Sequence, residues 1–245
     1  MAYTVGSLFS GIGGFELGFE RAGFDVRWQV EIDPFCRAVL AKHWPDVRRY
    51  DDVRTCGAAN LEPVDVVCGG FPCQPVSHNG HQAAAADPRW LWPHVARVVR
   101  DLRPSVVALE NVSGLLARGL DTVLGDLAAL RYDAEWESLP AATVGSPQIR
   151  DRVFVVAYPD SVRCETGQGV FPEDAGSRLQ PEAIWGVPHR GHSGRTRRIP
   201  DPGVLRVGDG TADWLDRLRV IGNAVVPQVA EVIAWRVRAR LEAAA

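Results

Sequence analysis

The sequence predicts an α/β fold, a doubly wound and mostly parallel sheet that carries a small irregular insert. Over the first 158 residues, short β-rich apolar runs alternate with helical patterns, which is typical of crossover units on a parallel sheet. A Gly-, Pro- and Arg-rich stretch follows, and helical spacing returns near the C-terminus. We therefore predict a main domain at 1–158, an insert at 159–213, and a segment at 214–245 that packs back on the main domain.

Apolar runs define the predicted strands, and apolar stripes define the helix faces between them. The strands are expected at 4–9, 26–30, 64–68, 105–109, 134–139 and 153–157. The segments VDVV, SVVAL and VFVVA are typical of buried strands. Helical spacing joins Phe15, Phe19 and Ala22 on one face, and Val95, Val98, Val99 and Leu102 on another. These stripes are predicted to form the core.

Composition excludes several classes of protein. A chain of 245 residues can bury a sizeable core, and no apolar run reaches the length that spans a membrane. The N-terminus lacks the features of a signal peptide, so we expect a cytoplasmic protein. Five cysteines form no paired CxxC set, which disfavours a zinc ribbon and a disulfide framework, and we predict no metal.

Positive charge is concentrated in the insert. The net charge of −3 gives no global attraction to a polyanion, so any contact with nucleic acid must be local. Between residues 183 and 200 no acidic residue occurs, and the basic residues are Arg190, Arg195, Arg197 and Arg198, with His189 and His192. Either this cluster binds nucleic acid or it is a solvated loop.

A glycine-rich turn after the first strand predicts a nucleoside-binding site. Gly11, Gly13 and Gly14 stand where the first strand passes into a helix, although any such turn can use glycines. Glu31 ends the second strand, where a carboxylate can accept hydrogen bonds from both ribose hydroxyls. Because GIGG is not a full GxGxxG, a cofactor without phosphate fits better than NAD. Asp52 either accepts from an adenine amino group or is an ordinary loop aspartate.

Two further short motifs directly follow predicted apolar strands. GGFPCQPVS occupies residues 69–77, and ENV occupies residues 110–112. Ligands bind at the carboxyl edge of an open α/β sheet, so Cys73, Glu110 and the glycine turn should converge there. A cysteine alone is more often a small buried apolar residue. Pro72 and Pro75 keep this one in a loop, so we expect its thiol to face the crevice.

Because of these motifs and their order, the sequence resembles the DNA (cytosine-5)-methyltransferase family, especially its short bacterial and phage-like members. The similar motifs, in family order, are FSGIGGF, EID, GGFPCQPVS, ENV, QIRDRVFVVA and GNAVVPQV. The resemblance implies the Rossmann-like fold of class I S-adenosylmethionine-dependent methyltransferases. It also implies S-adenosylmethionine as donor, S-adenosylhomocysteine as product, and a cytosine flipped out of double-stranded DNA as substrate.

The resemblance assigns the chemical roles. Cys73 would add to carbon 6 of cytosine, so that carbon 5 can attack the methyl sulfonium. Glu110 would share a proton with ring nitrogen 3 and therefore begin protonated, in a buried pocket that raises its pKa. Arg152, with Arg150, would hold the base oxygen and order the nucleophile loop. The alternative for the arginines is phosphate contact or a structural ion pair.

Further contacts carry over position by position. The cofactor-binding residues would be Phe9, Ser10, Gly11, Ile12, Gly13, Gly14, Glu31, Ile32, Asp52, Val53, Pro72, Leu91, Asn223 and Ala224. Phe9, Ile32 and Leu91 could equally be core residues. The DNA contacts would be Gln74, Ser77, His78 and Asn79 after the nucleophile, together with Arg190, Arg195, Arg197 and Arg198. A hydrophilic surface turn is an equally simple interpretation of the first four.

Other functions remain open at this point. The insert is short and lacks a convincing arginine-helix motif, so the target sequence is not specified. The rivals are a transfer RNA methyltransferase of the same fold, a catalytically silent cofactor-binding DNA protein, and an oxidoreductase. GGFPCQPVS follows the DNA type, and GIGG disfavours the oxidoreductase. We expect a monomer in the cytoplasm of a bacterium, bacterial or phage-encoded, with duplex DNA and a cognate restriction endonuclease as partners and no membrane contact.

Overall fold

A seven-stranded sheet organises the chain. The computed structural model describes residues 2–72, 90–144, 150–159, 162, 169–171, 188–190, 196–198 and 224–244. The strands of the sheet are β1 Thr4–Leu8, β2 Asp25–Val30, β3 Arg48–Tyr50, β4 Val66–Gly70, β5 Val106–Val112, β6 Tyr132–Pro140 and β7 Asp151–Pro159. Their order is β3-β2-β1-β4-β5-β7-β6.

The pairing directions make the sheet mostly parallel. β1 pairs in parallel with β2 and β4, and β4 with β5. Only β7 runs against its neighbours, pairing antiparallel with β5 and β6. The chain moves from β1 to β2 and β3 on one side and resumes with β4 on the other. The carboxyl ends of β1 and β4 therefore flank a topological switch point, where open α/β sheets bind ligands.

Helices cover both faces of this sheet. They are α1 Gly14–Arg21, α2 Pro34–His43, α3 Trp92–Leu102, α4 Gly114–Arg118, α5 Leu120–Ala129 and α6 Pro227–Ala244. One core contains Trp28, Trp92 and Leu127, and the other contains Phe15, Phe19 and Ile233. The predicted stripes on α1 and α3 are buried as expected, with Leu102 partly exposed. No helix in the described ranges has the length and apolar character to cross a membrane.

The C-terminal helix packs closely on α1. A Cβ atom at Gly18 would lie 2.6 Å from the Cβ atom of Ala230, so only glycine permits this approach. Arg238 adds a hydrogen bond from its Nη1 to the carbonyl oxygen of Ala22, at 2.9 Å. The last helix thus returns to the element that begins at the glycine turn.

Several strand boundaries differ from the sequence prediction. β1 ends one residue early, because Phe9 takes a left-handed conformation with φ 54°. β4 begins at Val66 rather than residue 64, since Asp65 accepts hydrogen bonds from the amide and hydroxyl of Thr4, both at 2.7 Å. β5 continues to Val112, so Glu110 lies within the strand and not after it. The cause is its long antiparallel pairing with β7.

Two further strand regions were not predicted. β3 contains only Arg48, Arg49 and Tyr50, which is too short and too polar for periodicity to reveal. In the region expected to be an irregular insert, β8 Pro188–Arg190 pairs antiparallel with β9 Thr196–Arg198. This pair has no apolar alternation, so its strand character rests on the backbone pairing.

Candidate cofactor and catalytic site

Glu31 closes the glycine turn from the end of β2. The amide of Gly11 donates to Glu31 Oε2 at 2.7 Å, and the amide of Asp33 donates to Oε1 at 2.8 Å. Burial raises the pKa of Glu31, and these two amides oppose the rise. Each carboxylate oxygen keeps a second lone pair. The carboxylate is therefore already oriented, and both oxygens can accept a further hydroxyl.

The turn itself requires glycine at two places. Gly13 has φ +93°, and a Cβ atom there would lie 2.3 Å from the Trp44 ring. A Cβ atom at Gly14 would lie 2.4 Å from the carbonyl oxygen of Val225. Gly11 also has a positive φ, of +55°, but a Cβ atom there would meet nothing within 4 Å among the described residues. The turn is thus packed on its inner side and open at Gly11.

The remaining cofactor candidates divide by their exposure. Ile32 is 61% exposed beside Glu31, so its side chain offers apolar surface to a flat ring. Ser10 and Val53 are buried, whereas Phe9, Leu91 and Pro72 are partly buried. Ile12 and Ala224 belong to a small cluster with Cys36 and Val39 on α2. Asn223 lies outside the described residues.

Asp52 is engaged by a neighbour. Its carboxylate accepts from Arg54 Nε at 2.9 Å and from Nη2 at 2.6 Å, and these contacts lower the pKa of Asp52. It also accepts from the amide of Arg54 at 2.9 Å. This arrangement caps a short helical turn at Val53–Thr55. Both interpretations of Asp52 remain available, because a carboxylate with these partners can still accept another hydrogen bond.

An ion pair between the buried Glu110 on β5 and the partly exposed Arg152 on β7 lies at the same edge. Arg152 Nε is 2.9 Å from Glu110 Oε1, and Glu110 is 7% exposed. Arg152 is in register with Val112, two residues beyond Glu110, so the two side chains share one face as diagonal neighbours. Burial raises the pKa of Glu110, and the charges of Arg152 and Arg150 oppose the rise. The proton affinity of Glu110 is thus set by two opposing effects, burial and the neighbouring arginine charges.

Gly70 of GGFPCQPVS and Val225 of GNAVVPQV lie close to this ion pair. Gly70 is in register with Glu110, and a Cβ atom there would lie 2.9 Å from Glu110 Oε2. The same Cβ position is 3.7 Å from Val225 Cγ2, and Val225 also lies over Gly14. The glycine turn, the end of β4, Glu110 and the start of the last motif therefore meet at one edge of the sheet.

The chain leaves β4 toward Cys73 from a fixed point. Phe71 is buried against Trp90 and Trp92, with ring centroids 5.6 and 5.7 Å apart. Asn111 Nδ2 donates to the carbonyl oxygen of Phe71 at 3.1 Å. Cys73 itself lies outside the described residues, as do the predicted DNA contacts Gln74, Ser77, His78 and Asn79.

The predicted DNA contacts of the insert are partly described. Arg190 ends β8, and Arg197 and Arg198 lie on β9, with His189 in register with Arg197. Arg195 lies outside the described residues. The basic cluster is therefore carried in part by a short β-ribbon.

Sequence reasoning missed two polar residues. Asn111 of ENV received no role of its own in the sequence analysis. The structure shows that its amide is buried in an apolar strand, where such a group requires a hydrogen-bond partner. Glu16 on α1 is fully buried, and its position, four residues after Ile12 and three before Phe19, falls within the apolar stripe. A carboxyl group within an apolar helix stripe is rare, and this could have singled out Glu16 from the sequence.

Comparison with known proteins decides the family. Residues 3–183 match the profile described as C-5 cytosine-specific DNA methylase. The chain belongs to this family. M.AquIA, a type II methyltransferase of Picosynechococcus, is 34% identical over 205 residues, which cover 71% of this chain and 83% of that protein. M.NgoMIV, a type II methyltransferase of Neisseria gonorrhoeae, is 35% identical over 162 residues, covering 64% of this chain and 52% of that protein.

A solved structure supports the fold separately. Schizosaccharomyces pombe Dnmt2 methyltransferase superposes with a TM-score of 0.67 at 15% identity, covering 99% of both chains. The fold is that of the Rossmann-like S-adenosylmethionine-dependent methyltransferases, as predicted. The chain spans about half the length of several curated relatives that it matches, such as M.NgoMIV at 52% and M.DsaV at 45%.

Proposed function

We propose that this protein transfers a methyl group from S-adenosylmethionine to carbon 5 of a cytosine flipped out of duplex DNA. The observation that carries the proposal is the contact of Arg152 with the buried Glu110 beside Gly70, from which the chain leads to Cys73. A carboxyl group with a raised pKa and an adjacent guanidinium is what protonation of a cytosine ring requires. Family membership supports the same reaction.

The residues at the glycine turn fit the cofactor. S-adenosylmethionine would supply an electrophilic methyl group. Glu31 would accept from the ribose hydroxyls, because its two oxygens are already oriented by amides. Exposed Ile32 would pack on the adenine ring, and the open side of Gly11 leaves room for close approach. No part of the ligand needs a phosphate cradle, in agreement with the incomplete glycine motif.

The protein's own groups would carry the chemistry in two stages. The Cys73 thiolate adds to carbon 6, the ring electrons shift, and the Glu110 proton goes to nitrogen 3. Carbon 5 thereby becomes nucleophilic and would form a bond to the methyl carbon as the sulfur–methyl bond breaks, with that bond's electron pair staying on the sulfur of the departing S-adenosylhomocysteine. A base then removes the proton from carbon 5, the double bond reforms, and Cys73 leaves as a thiolate while nitrogen 3 returns its proton.

The environment of Glu110 suits this cycle. Burial raises the pKa of Glu110 and so favours its protonated form, whereas the charges of Arg152 and Arg150 favour release of the proton. A group balanced in this way can give a proton and take it back. Arg152 would also hold the base oxygen, since its Nε contact with Glu110 fixes the guanidinium beside the reaction centre.

DNA binding would use the segments that follow the nucleophile and the insert. Gln74, Ser77, His78 and Asn79 would brace the gap left by the flipped base. The insert at 159–213 would contact phosphates through its arginines, which position a protein on DNA without reading its sequence. A main domain at 1–158 and a C-terminal segment at 214–245 complete the proposed organisation.

The biological setting is also proposed. Several relatives are named type II methyltransferases, which supports a role beside a cognate restriction endonuclease. We propose a cytoplasmic monomer that acts on duplex DNA.

A methyl-transfer assay tests the proposed function. The protein is incubated with tritium-labelled S-adenosylmethionine and either duplex DNA, transfer RNA or no substrate, and the labelled base is identified after digestion. We expect label in 5-methylcytosine from DNA, lost in Cys73→Ala and kept in the control Cys164→Ala. Label in transfer RNA would indicate the RNA enzyme, and cofactor binding without transfer would indicate the silent protein.

A further inference from the structure

One arginine on α3 holds the turn that follows β3, at residues 52–56. Arg97 Nη1 donates to the carbonyl oxygen of Cys56 at 2.6 Å. Its Nη2 donates to the carbonyl oxygens of Val53 and Arg54, at 2.9 and 3.1 Å. A guanidinium can do this because its donors form a fixed planar fork, and bonds from a charged donor are stronger than those between neutral groups. Arg97 therefore clamps this turn at three points.

The remaining carbonyl groups of the turn are bonded from within the same loop. The carbonyl oxygen of Asp52 accepts from the amide and the hydroxyl of Thr55, at 3.0 and 2.9 Å. Asn60 Nδ2 donates to the carbonyl oxygen of Thr55 at 3.1 Å. The last carbonyl groups of a helical turn find no partner inside it. Arg97 is thus the group that satisfies them from another element of the fold.

The turn lies beside the groups that would hold the ribose. The amide of Glu31 donates to the carbonyl oxygen of Tyr50, the last residue of β3, at 2.9 Å. Asp52 follows two residues later, so it lies at the same edge of the sheet as Glu31. A base attached to a ribose on Glu31 would therefore lie within reach of this turn.

The helix that carries Arg97 is itself fixed. Trp92, the first residue of α3, is fully buried, and its ring centroid lies 5.7 Å from that of Phe71. Val95, on the next turn of the helix, shares a core with Val53. α3 is thus anchored at the point where the chain leaves β4, and it presents Arg97 to the turn from a rigid support.

We propose that Arg97 is a positioning residue for the base of the cofactor: by holding three carbonyl groups of the turn at residues 52–56, it places Asp52 to accept a hydrogen bond from the adenine amino group. This inference rests on the proposed function, because the ligand is the proposed cofactor. Arg97 acts through the turn and not by contact with the ligand. Its loss should weaken binding of the base and the choice between bases, while the ribose contacts of Glu31 remain.

Calorimetric binding of two ligands to the full chain tests this. S-adenosylhomocysteine has an amino group at position 6 of its base, whereas S-inosylhomocysteine has a carbonyl oxygen there, which cannot donate to Asp52. Wild-type protein should bind the adenine ligand about ten- to hundredfold more tightly, the range expected for a hydrogen bond to a charged group. In Arg97→Met, which has no donor, this preference should fall to about threefold or less, since Asp52 is no longer held in place.

Two further variants complete the comparison. Arg97→Lys keeps the charge, but one ammonium group cannot replace the guanidinium fork, so it should also lower the preference. It carries the test if Arg97→Met does not fold. Arg100→Met is the matched control and should follow the wild type, because Arg100 is exposed on the same helix and pairs with its neighbour Asp101. A merely structural Arg97 would change the amount of folded protein, which affects both ligands equally and leaves their ratio unchanged.

The outcomes separate the inference from the proposed function. A wild-type preference in both Arg97 variants, whatever their stability, would overturn the positioning role and leave the proposed function standing. Equal affinity of the wild type for the two ligands would do the same, because the turn would then not distinguish the bases. Failure of the wild type to bind S-adenosylhomocysteine would overturn both.

Discussion

Replacing Glu16 by glutamine should change how the stability of the protein depends on pH. The folded protein holds Glu16 with a pKa raised from 4.5 to about 7, chiefly by burial. Between these two values, Glu16 carries a proton in the folded state and has lost it in the unfolded state. Stability from this group is therefore fully present below pH 4.5 and is lost as pH rises through about 7.

The magnitude follows from the pKa difference. One pKa unit corresponds to about 1.4 kcal/mol, so raising pH from about 5 to about 8 should lower the free energy of unfolding by about 2–3 kcal/mol through Glu16 alone. Glutamine has nearly the same shape and does not titrate. Glu16→Gln should therefore lack this part of the decrease, and all other titrating groups contribute equally to both proteins.

Urea unfolding at the two pH values measures the effect. Tryptophan fluorescence is a suitable signal, since Trp28 and Trp92 are fully buried. Glu20→Gln is the control, because Glu20 is exposed on the same helix, and it should behave as the wild type. If wild type and Glu16→Gln lose the same free energy between the two pH values, Glu16 is not a buried neutral acid and the reasoning fails.

Three further predictions concern binding and turnover. Glu31→Ala should weaken S-adenosylhomocysteine binding by about 1.5–3 kcal/mol in calorimetry, and unchanged affinity would reject its role. Glu110→Gln should slow methylation by roughly 10²–10⁴-fold while cofactor affinity stays the same; turnover near that of the wild type would refute the acid role. Replacing Arg195, Arg197 and Arg198 by alanine should flatten the salt dependence of DNA affinity, by about 0.9 in slope for each phosphate that the protein no longer neutralises. An unchanged slope would make the cluster a solvated loop.

The fold was largely predictable because its strands carry local apolar runs. All six predicted strands exist, and their alternation with helices correctly indicated a mostly parallel sheet. β3 was not predictable, since residues Arg48–Tyr50 become a strand only by pairing with Trp28 and Val30 of β2. Likewise, β5 extends through Glu110 because β7 pairs with it from about forty residues further along the chain. Such pairings are not encoded in any short window of sequence.

The candidate site was predictable where topology alone fixes position. The carboxyl edge of the sheet collects the residues that end strands, which is why Gly11, Glu31 and Glu110 could be placed there from the sequence. Glu16 and Asn111 were missed for a different reason. Their burial depends on which elements pack over them, and Asn111 reaches Phe71 across forty residues of sequence. Neither environment has a local pattern.

Trapping with 5-fluorocytosine tests the central claim most directly. In duplex DNA that carries this base at the target site, fluorine at carbon 5 cannot leave as a proton, so Cys73 cannot be expelled after methyl transfer. We predict a covalent adduct that requires S-adenosylmethionine, maps to Cys73 by peptide analysis, and is absent in Cys73→Ala. An adduct at Cys36, Cys56, Cys68 or Cys164, or methylation that persists in Cys73→Ala, would contradict the account.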